Sequence, residues 1–151
     1  MQTHPNSAAL YSGEFRHALD GKNRVTIPSR WQVTEADEFY LVPDSQKKCL
    51  RAMPPEEFRA VGVRAESLPG MTPKEHKAFM RHFYSRAQHV VADKQRRMLV
   101  PEEYCAQFDL RGEIVIVGVK ETFELWNADA WKCTQAEEQP TYGRWADQLG
   151  I

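Results

Sequence analysis

Hydrophobic and polar positions follow a strand-like order near the start of the chain. An alternating stretch, residues 14–19, leads through a polar turn at residues 20–23 into a short apolar stretch, residues 25–27. Alternation interrupted by a polar turn is typical of a strand–turn–strand unit. Two apolar runs farther on, residues 39–42 and 49–53, predict a second pair of strands.

Prolines, acids and a capping sequence mark the expected helix starts. Pro28 suits the first position of a short helix that carries Trp31, because the N–H that proline lacks is not needed there. Residues 54–57 place two acids in the first turn of a longer helix, where the helix dipole favours negative charge. Residues 72–75, Thr-Pro-Lys-Glu, have the form of a capping box and predict a linking helix.

The same order of positions occurs twice. Adding 73 to a residue number maps residues 11–58 onto 84–131 without a gap, and the aligned turn and proline positions include Asp20 with Asp93, Arg24 with Arg97, and Pro28 with Pro101. One such unit can bury only one side by itself, so two copies facing each other would share a core. The sequence therefore predicts an α+β fold with pseudo-twofold symmetry.

This organisation divides the chain into five segments. We expect a flexible N-terminal tail at 1–10, a first repeat at 11–68, a linking helix at 69–83, a second repeat at 84–134 and a flexible C-terminal tail at 135–151. The two ends are assigned as tails because they are polar and poorly periodic. Trp145 and Leu149 lie one helical turn apart in the last segment and could dock elsewhere.

Composition limits the class of protein. The 151 residues, 42% of them apolar, suit one compact unit with a real core. The three cysteines form an odd set without CxxC spacing, which disfavours a disulfide framework or a thiolate zinc site. No apolar run approaches the roughly 18 residues of a membrane span, and no signal sequence is recognisable, so we expect a cytoplasmic protein with reduced thiols.

The net charge of −1 hides an uneven distribution. Residues 72–97 carry seven Lys/Arg and two Asp/Glu, and residues 14–30 carry four Lys/Arg and two Asp/Glu. Residues 98–131 have the opposite balance, with two Lys/Arg and seven Asp/Glu. A near-neutral chain can thus present a local cationic face, as phosphate binding requires. Two alternatives stay open. The basic and acidic segments could simply pair with each other. Separately, the cationic face of the linking helix could be an ordinary solvated surface or a further surface for a polyanion such as DNA.

Two Asp-x-x-x-Arg turns are the sharpest chemical feature. They offer five cations on tight loops: Lys22, Arg24, Lys94, Arg96 and Arg97. The planar fork of arginine can bond a guanine edge twice, lysine serves phosphates, and a two-stranded ribbon fits the major groove. The alternative is that Asp20 and Asp93 form ion pairs with Arg24 and Arg97; both roles can coexist, since an aspartate can orient a guanidinium whose other donors face outward.

These turns lie within a longer resemblance. The chain resembles the MraZ family of bacterial transcriptional regulators, with AbrB-like, double-split β-α-β units, over about residues 11–133. The resemblance rests on Gly13-Glu14-Phe15, Asp20-x-Lys22-x-Arg24-Val25-x-Ile27-Pro28, Phe83-x-Ser85, Asp93-Lys94-Gln95-x-Arg97-x-Leu99-x-Pro101 and Phe123-Glu124-Leu125-Trp126. It implies a nucleoid-associated repressor of the division and cell-wall gene cluster, its own gene included, that binds double-stranded promoter repeats as a homo-oligomeric ring.

Carried over by residue, the resemblance implies DNA contacts from Lys22-Asn23-Arg24 and from Lys94 to Arg97. The chain departs from the family where Asn23 and Arg96 replace the usual glycine. If the turns need positive φ, asparagine tolerates it, but arginine pays roughly 1–2 kcal/mol. The second loop is therefore open to reshaping, and its implied contacts are less secure.

Other chemistry finds little support. His76, His82 and His89 have spacings of six and seven, which do not share one helical face as metal ligands. There is no nucleophile with a positioned base and no glycine-rich phosphate loop, so we expect no enzyme, cofactor, metal or small-molecule substrate. The remaining rival is a structural ring in which the Asp-x-x-x-Arg loops form salt bridges between subunits.

Overall fold

The computed structural model describes residues 11–31 and 37–151. Within those ranges the chain forms eight strands and four helices. The strands are β1 Glu14–Ala18, β2 Arg24–Thr26, β3 Glu38–Pro43, β4 Leu50–Met53, β5 Gln88–Val91, β6 Arg97–Leu99, β7 Glu113–Val119 and β8 Thr122–Asn127. The helices are α1 Pro55–Ser67, α2 Pro73–Arg86, α3 Glu102–Gln107 and α4 Ala128–Gln148. The predicted α+β class is confirmed.

The strands form one large sheet and one small ribbon. The large sheet has six antiparallel strands in the order β1-β7-β8-β4-β3-β5, while β2 and β6 pair only with each other. Adding 73 to the residue numbers carries β1, β3 and β4 onto segments that overlap β5, β7 and β8, so the strand order reads the same from either edge. Each edge strand belongs to one half of the chain and pairs with the other half.

The predicted strand–turn–strand unit is wrong in its pairing. The strands that flank the first polar turn do not pair with each other: β1 pairs with β7, and β2 pairs with β6 in the register Arg24↔Leu99, Val25↔Met98 and Thr26↔Arg97. A three-residue strand gains burial only if its one inward side chain reaches a core, and pairing β2 with β6 buries both Val25 and Met98. By contrast, the predicted β3–β4 and β7–β8 pairs are confirmed.

The two faces of the large sheet carry different partners. On one face, the ribbon and α3 pack with apolar side chains from both halves of the chain, including Val25, Met98, Leu41, Leu50, Ile114 and Leu125. On the other face, α1 covers Val42 and Met53 through Phe58, and α4 covers Val115 and Trp126 through Trp131. The ribbon is thus held from beneath by a core to which both halves contribute, and its outer face stays open to solvent.

The linking helix begins where the capping sequence predicts. The Thr72 side chain accepts a hydrogen bond from the Glu75 backbone N–H at 3.1 Å, and the Glu75 carboxylate accepts one from the Thr72 backbone N–H at 3.0 Å. The helix ends at Arg86 rather than at residue 83. Phe83 packs on Phe58 of α1, while Lys74, Lys77 and Arg81 are exposed.

Most of residues 135–151, expected from the sequence as a flexible tail, belongs to a helix. α4 begins at an Asn127 cap, whose side chain accepts from the Ala130 backbone N–H at 2.9 Å, and continues through Pro140 to Gln148. Its second half is almost wholly exposed and carries no apolar stripe from which the sequence would predict a helix. Trp145 and Leu149 do not dock on the part of the chain that the structure describes: they are 57% and 76% exposed. The predicted tail at 1–10 lies outside the described residues.

Within the described part of the chain, no helix combines the length and the apolarity needed to cross a bilayer.

Shortening a buried side chain in β8 should destabilise the fold far more than the same change at an exposed position. Leu125 is fully buried between the two halves, so Leu125→Ala should lower the free energy of unfolding by roughly 2–5 kcal/mol. Leu149→Ala is the control, and we expect it to change that free energy by less than about 0.5 kcal/mol. Urea denaturation followed by circular dichroism compares them; equal midpoints would contradict the shared core.

Candidate nucleic-acid interface

The first turn, residues 20–24, is organised around the carboxylate of Asp20. Its Oδ1 atom accepts hydrogen bonds from the backbone N–H groups of Lys22 and Arg24, both at 2.9 Å. The Asp20 carbonyl accepts from the Asn23 N–H at 3.0 Å, and the Asp20 N–H donates to the Arg24 carbonyl at 2.9 Å. Asn23 takes a left-handed conformation with φ of 60°. The turn is therefore closed by local bonds and needs no pairing between β1 and β2.

The second turn, residues 93–97, repeats this pattern. Asp93 Oδ1 accepts from the backbone N–H groups of Gln95 at 2.9 Å and Arg97 at 2.8 Å, and the Asp93 carbonyl accepts from the Arg96 N–H at 2.9 Å. Arg96 has a φ of 63°, so the positive φ considered from the sequence occurs at both glycine-replacing positions. Arginine at this position does not reshape the turn.

The two aspartates also hold the two arginines. Asp20 Oδ2 accepts from Arg24 Nε at 2.8 Å, and Asp93 Oδ2 accepts from Arg97 Nε at 2.8 Å. Arg24 Nη1 also lies 4.0 Å from Asp93 Oδ2, so the networks of the two turns meet. The ion pairs considered from the sequence are thus present. The arginine side chains nevertheless remain 27% and 32% exposed, so the ion pairs do not bury them.

The hydrogen bonds to the carboxylates stabilise their charged form. The pKa of Asp20 lies below its usual value, chiefly because the Arg24 backbone N–H donates to it. The pKa of Asp93 is lowered in the same way, chiefly by the Arg97 backbone N–H. Both groups are therefore ionised at neutral pH and keep the arginine side chains oriented.

The ribbon of β2 and β6 joins the two turns. Its inner face carries Val25 and Met98, and its outer face carries Arg24, Thr26, Arg97 and Leu99. Lys22 and Lys94 are exposed in the turns. Over this surface four cationic side chains, Lys22, Arg24, Lys94 and Arg97, face two carboxylates, Asp20 and Asp93, which leaves a net charge of +2. A two-stranded ribbon with an outer cationic face has the size and charge that suit a nucleic-acid groove.

Arg96 does not share this outward orientation. Its guanidinium donates to Asp37 through Nε at 2.8 Å and to the Trp31 carbonyl through Nη2 at 2.8 Å. Arg96 and Asp37 side chains are only 19% and 11% exposed. The prediction of Arg96 as a DNA-contacting residue is therefore not supported by its position, because its donors are directed to Asp37 and the Trp31 carbonyl.

Asn23 has the equivalent position in the first turn and also points across the molecule. Its side-chain amide donates to Glu102 Oε1 of α3 at 2.8 Å. Asp37 and Glu102 were not predicted from the sequence as partners of the turns. The available signal was the presence of polar side chains, Asn23 and Arg96, at turn positions where the family usually has glycine.

Other polar groupings lie away from the ribbon. Among the residues that the structure describes, one set of potential metal ligands comes together, Asp44, Cys49 and Glu124, with ligand atoms within 4.8 Å of one another. Arg51 Nη2 lies 3.2 Å from Asp44 and 3.1 Å from Glu124, so both carboxylates are already paired with one guanidinium. Burial raises the pKa of the Cys49 thiol, which disfavours a thiolate ligand.

The three histidines considered from the sequence do not converge. His82 Nδ1 lies 3.3 Å from Arg86 on the same helix, and His89 Nε2 lies 2.6 Å from Glu38 on β3. His76 lies at the groove between α1 and α2. Cys49 and Cys105 are buried and Cys133 is exposed, and all three are free thiols.

Removing the Arg96 side chain should test its structural role. Arg96→Ala would leave the mostly buried Asp37 carboxylate and the Trp31 carbonyl without their donor, so we expect a loss of roughly 3 kcal/mol in unfolding free energy. Lys94→Ala, at an exposed position in the same turn, should change it by less than about 0.5 kcal/mol. Guanidinium denaturation monitored by tryptophan fluorescence measures both. Equal stability of the two variants would rule out the structural role of Arg96.

The stability that Asp93 contributes should depend on pH. Because its folded-state pKa is depressed, that contribution is complete above the unfolded-state value of about 3.9 and disappears as the pH falls through the lower folded-state pKa. The difference in melting temperature between wild type and Asp93→Asn should thus be constant from neutral pH down to about pH 5 and narrow below about pH 4. Glu138→Gln, on exposed α4, is the control. A difference that grows on acidification would contradict the ionised carboxylate.

Comparisons with known proteins agree with this geometry. A family model described as "MraZ protein, putative antitoxin-like" matches residues 83–142. The protein named transcriptional regulator MraZ from Clostridium tetani is 33% identical over 123 residues, covering 82% of this chain and 85% of that protein. Proteins of the same name from Ligilactobacillus salivarius and Lactiplantibacillus plantarum are each 31% identical over 140 residues, covering 93% of this chain and 96% and 98% of theirs. The chain therefore belongs to the MraZ family of transcriptional regulators, which are not enzymes.

Proposed function

We propose that the protein is a sequence-specific DNA-binding regulator that represses the division and cell-wall gene cluster, its own gene included, by binding promoter repeats as a homo-oligomeric ring. In this proposal it acts on nucleoid DNA in the cytoplasm. The observation that carries the proposal is the ribbon of β2 and β6. Its outer face has two arginines that are each held by an aspartate, and each adjoining turn has an exposed lysine. The name shared by the curated relatives, transcriptional regulator, supports it.

In the proposed complex Arg24 and Arg97 contact base edges. Each guanidinium is fixed through Nε by an aspartate, so its outer nitrogens are oriented before DNA arrives. A guanine presents two acceptors, O6 and N7, in the major groove, and this pair matches the fork of an arginine. Orientation in advance lowers the entropy that binding would otherwise cost.

Lys22 and Lys94 serve the phosphates. Both are exposed in the turns at the ends of the ribbon, where a DNA backbone would flank the groove. Such contacts release counterions and carry no sequence information, so they make the affinity depend on salt. Asn23 and Arg96 act indirectly, by fixing the turns to Glu102 and Asp37.

One ribbon makes too few contacts for tight binding. A ring that places several ribbons on successive promoter repeats would make the later contacts effectively intramolecular and multiply the affinity. We further propose that the chain consists of tandem AbrB-like repeats at residues 11–68 and 84–134, joined by α2. The reversal-symmetric strand order of the large sheet supports this division.

The rival function is a structural ring held by salt bridges between the Asp-x-x-x-Arg loops of neighbouring subunits. The close ion pairs of these loops lie within one chain, at 2.8 Å in both turns. Carboxylates that are already paired are poor partners for an arginine of another subunit. We therefore favour the DNA-binding function.

Removing the Arg24 side chain should abolish most specific binding. The protein is titrated onto a fluorescent duplex from the DNA upstream of its own gene, with a scrambled duplex as competitor, at two salt concentrations. Arg24→Ala should weaken specific binding roughly tenfold to hundredfold, the value of one bidentate arginine–guanine contact. Arg64→Ala is the control, because Arg64 forms an exposed ion pair with Glu57 on α1.

Two other measurements complete this test. Circular dichroism should be the same for wild type and Arg24→Ala, and light scattering should give the same particle mass. Unweakened binding of Arg24→Ala would refute the assignment of the site. A changed mass with unchanged DNA affinity would favour the structural ring.

A further inference from the structure

The outer face of the ribbon is symmetric in its arginines but not in its other two side chains. The offset of 73 relates Arg24 to Arg97, and it relates Thr26 to Leu99. Thr26 and Leu99 both point outward, because the inward positions of β2 and β6 are Val25 and Met98. One strand therefore presents a hydroxyl where the other presents a purely apolar side chain.

Leu99 lies beside an arginine rather than in an apolar environment. The antiparallel register places it directly opposite Arg24, while Thr26 lies opposite Arg97. Side chains directly opposite in such a ladder have Cβ atoms about 4.5–5.5 Å apart. The Leu99 side chain is 52% exposed although its neighbours Met98 and Val100 are completely buried.

Single exposed apolar side chains are common on protein surfaces, so the exposure of Leu99 means little without its setting. Its setting is the outer face of a cationic ribbon, opposite Arg24, whose guanidinium Asp20 holds in place. Any polyanion that meets Arg24 along the ribbon must also meet Leu99.

The DNA major groove offers one apolar group to such a side chain. That group is the C5-methyl of thymine, whereas guanine offers the O6 and N7 acceptors that suit arginine. Adjacent base pairs are about 3.4 Å apart along a strand. The Cβ atoms of Arg24 and Leu99, which the register brings to about 4.5–5.5 Å of each other, are thus close enough for the two side chains to reach neighbouring bases.

We propose that Leu99 is a specificity-determining residue that contacts the methyl group of a thymine next to the guanine contacted by Arg24. The inference rests on the proposed DNA-binding function. Thr26, the equivalent position in the other half, contacts bases through a hydroxyl that accepts several partners and discriminates less. The two strands of the ribbon thus contact different bases, and the protein binds an asymmetric DNA site in one orientation.

Replacing thymine by deoxyuridine tests the inference, because the change removes the methyl group and leaves base pairing intact. Duplexes from the DNA upstream of the gene are made with one replacement at a time, and binding is followed by fluorescence anisotropy. Wild type should lose about fourfold in affinity at one thymine per binding site, the value of one buried methyl group.

The Leu99 variants assign the effect to that side chain. Leu99→Ala should bind the unmodified duplex about fourfold more weakly than wild type and should no longer distinguish thymine from deoxyuridine at that position. Leu99→Ile, which keeps an apolar side chain suited to a strand, should retain the discrimination. Leu68→Ala is the matched control, since Leu68 is similarly exposed, at 57%, but lies at the end of α1.

The outcomes separate this inference from the proposed function. Specific binding of wild type without any effect of deoxyuridine would overturn the role of Leu99 and leave DNA recognition standing. Discrimination that persists in Leu99→Ala would overturn it as well. A change in particle mass for Leu99→Ala would instead make Leu99 a subunit contact, and failure of wild type to prefer upstream DNA over the scrambled duplex would overturn both proposals.

Discussion

The pairing of β2 with β6 is the interaction on which the rest of the molecule depends. Each strand has three residues, and neither would be stable alone. Together they close the core with Val25 and Met98 and place the two Asp-x-x-x-Arg turns on one surface. Packing energy and presentation of the site therefore come from the same ladder, which requires both halves of the chain.

Local chemistry explains how much of this could be predicted. The Thr72 capping box and the β3–β4 and β7–β8 pairs depend on residues close in sequence, and the sequence predicted them correctly. The ion pairs of the turns are local as well, and the sequence offered them as an alternative that the structure contains. The pairing of β1 with β7 and of β2 with β6 could not be predicted. Alternation of apolar and polar residues shows which face of a strand is buried, but not which strand lies beside it. α4 was missed because its exposed half carries no apolar stripe, which is the pattern by which a helix is recognised in a sequence.

The candidate site shows the same division at the level of side chains. Its aspartates and arginines follow a local pattern, and the sequence identified Asp20, Arg24, Asp93 and Arg97. The inward orientation of Arg96 depends on Asp37, which lies 59 residues away. No local pattern specifies such a contact, so a count of cations alone overstated the accessible charge. The exposure of Leu99 was not predicted either, because an apolar residue in a strand is ordinarily expected to be buried.

Equivalent backbones with different side chains explain how a duplicated unit can recognise an asymmetric ligand. The two turns have the same hydrogen bonds around Asp20 and Asp93, so their arginines are held alike. The side chains at the positive-φ positions differ: Asn23 makes one bond to an exposed helix residue, whereas Arg96 is tied to Asp37 and to the backbone after Pro28. The second turn is consequently more firmly fixed to the body than the first. A DNA double helix bound to the ribbon would thus meet one rigid turn, residues 93–97, and one more adaptable turn, residues 20–24.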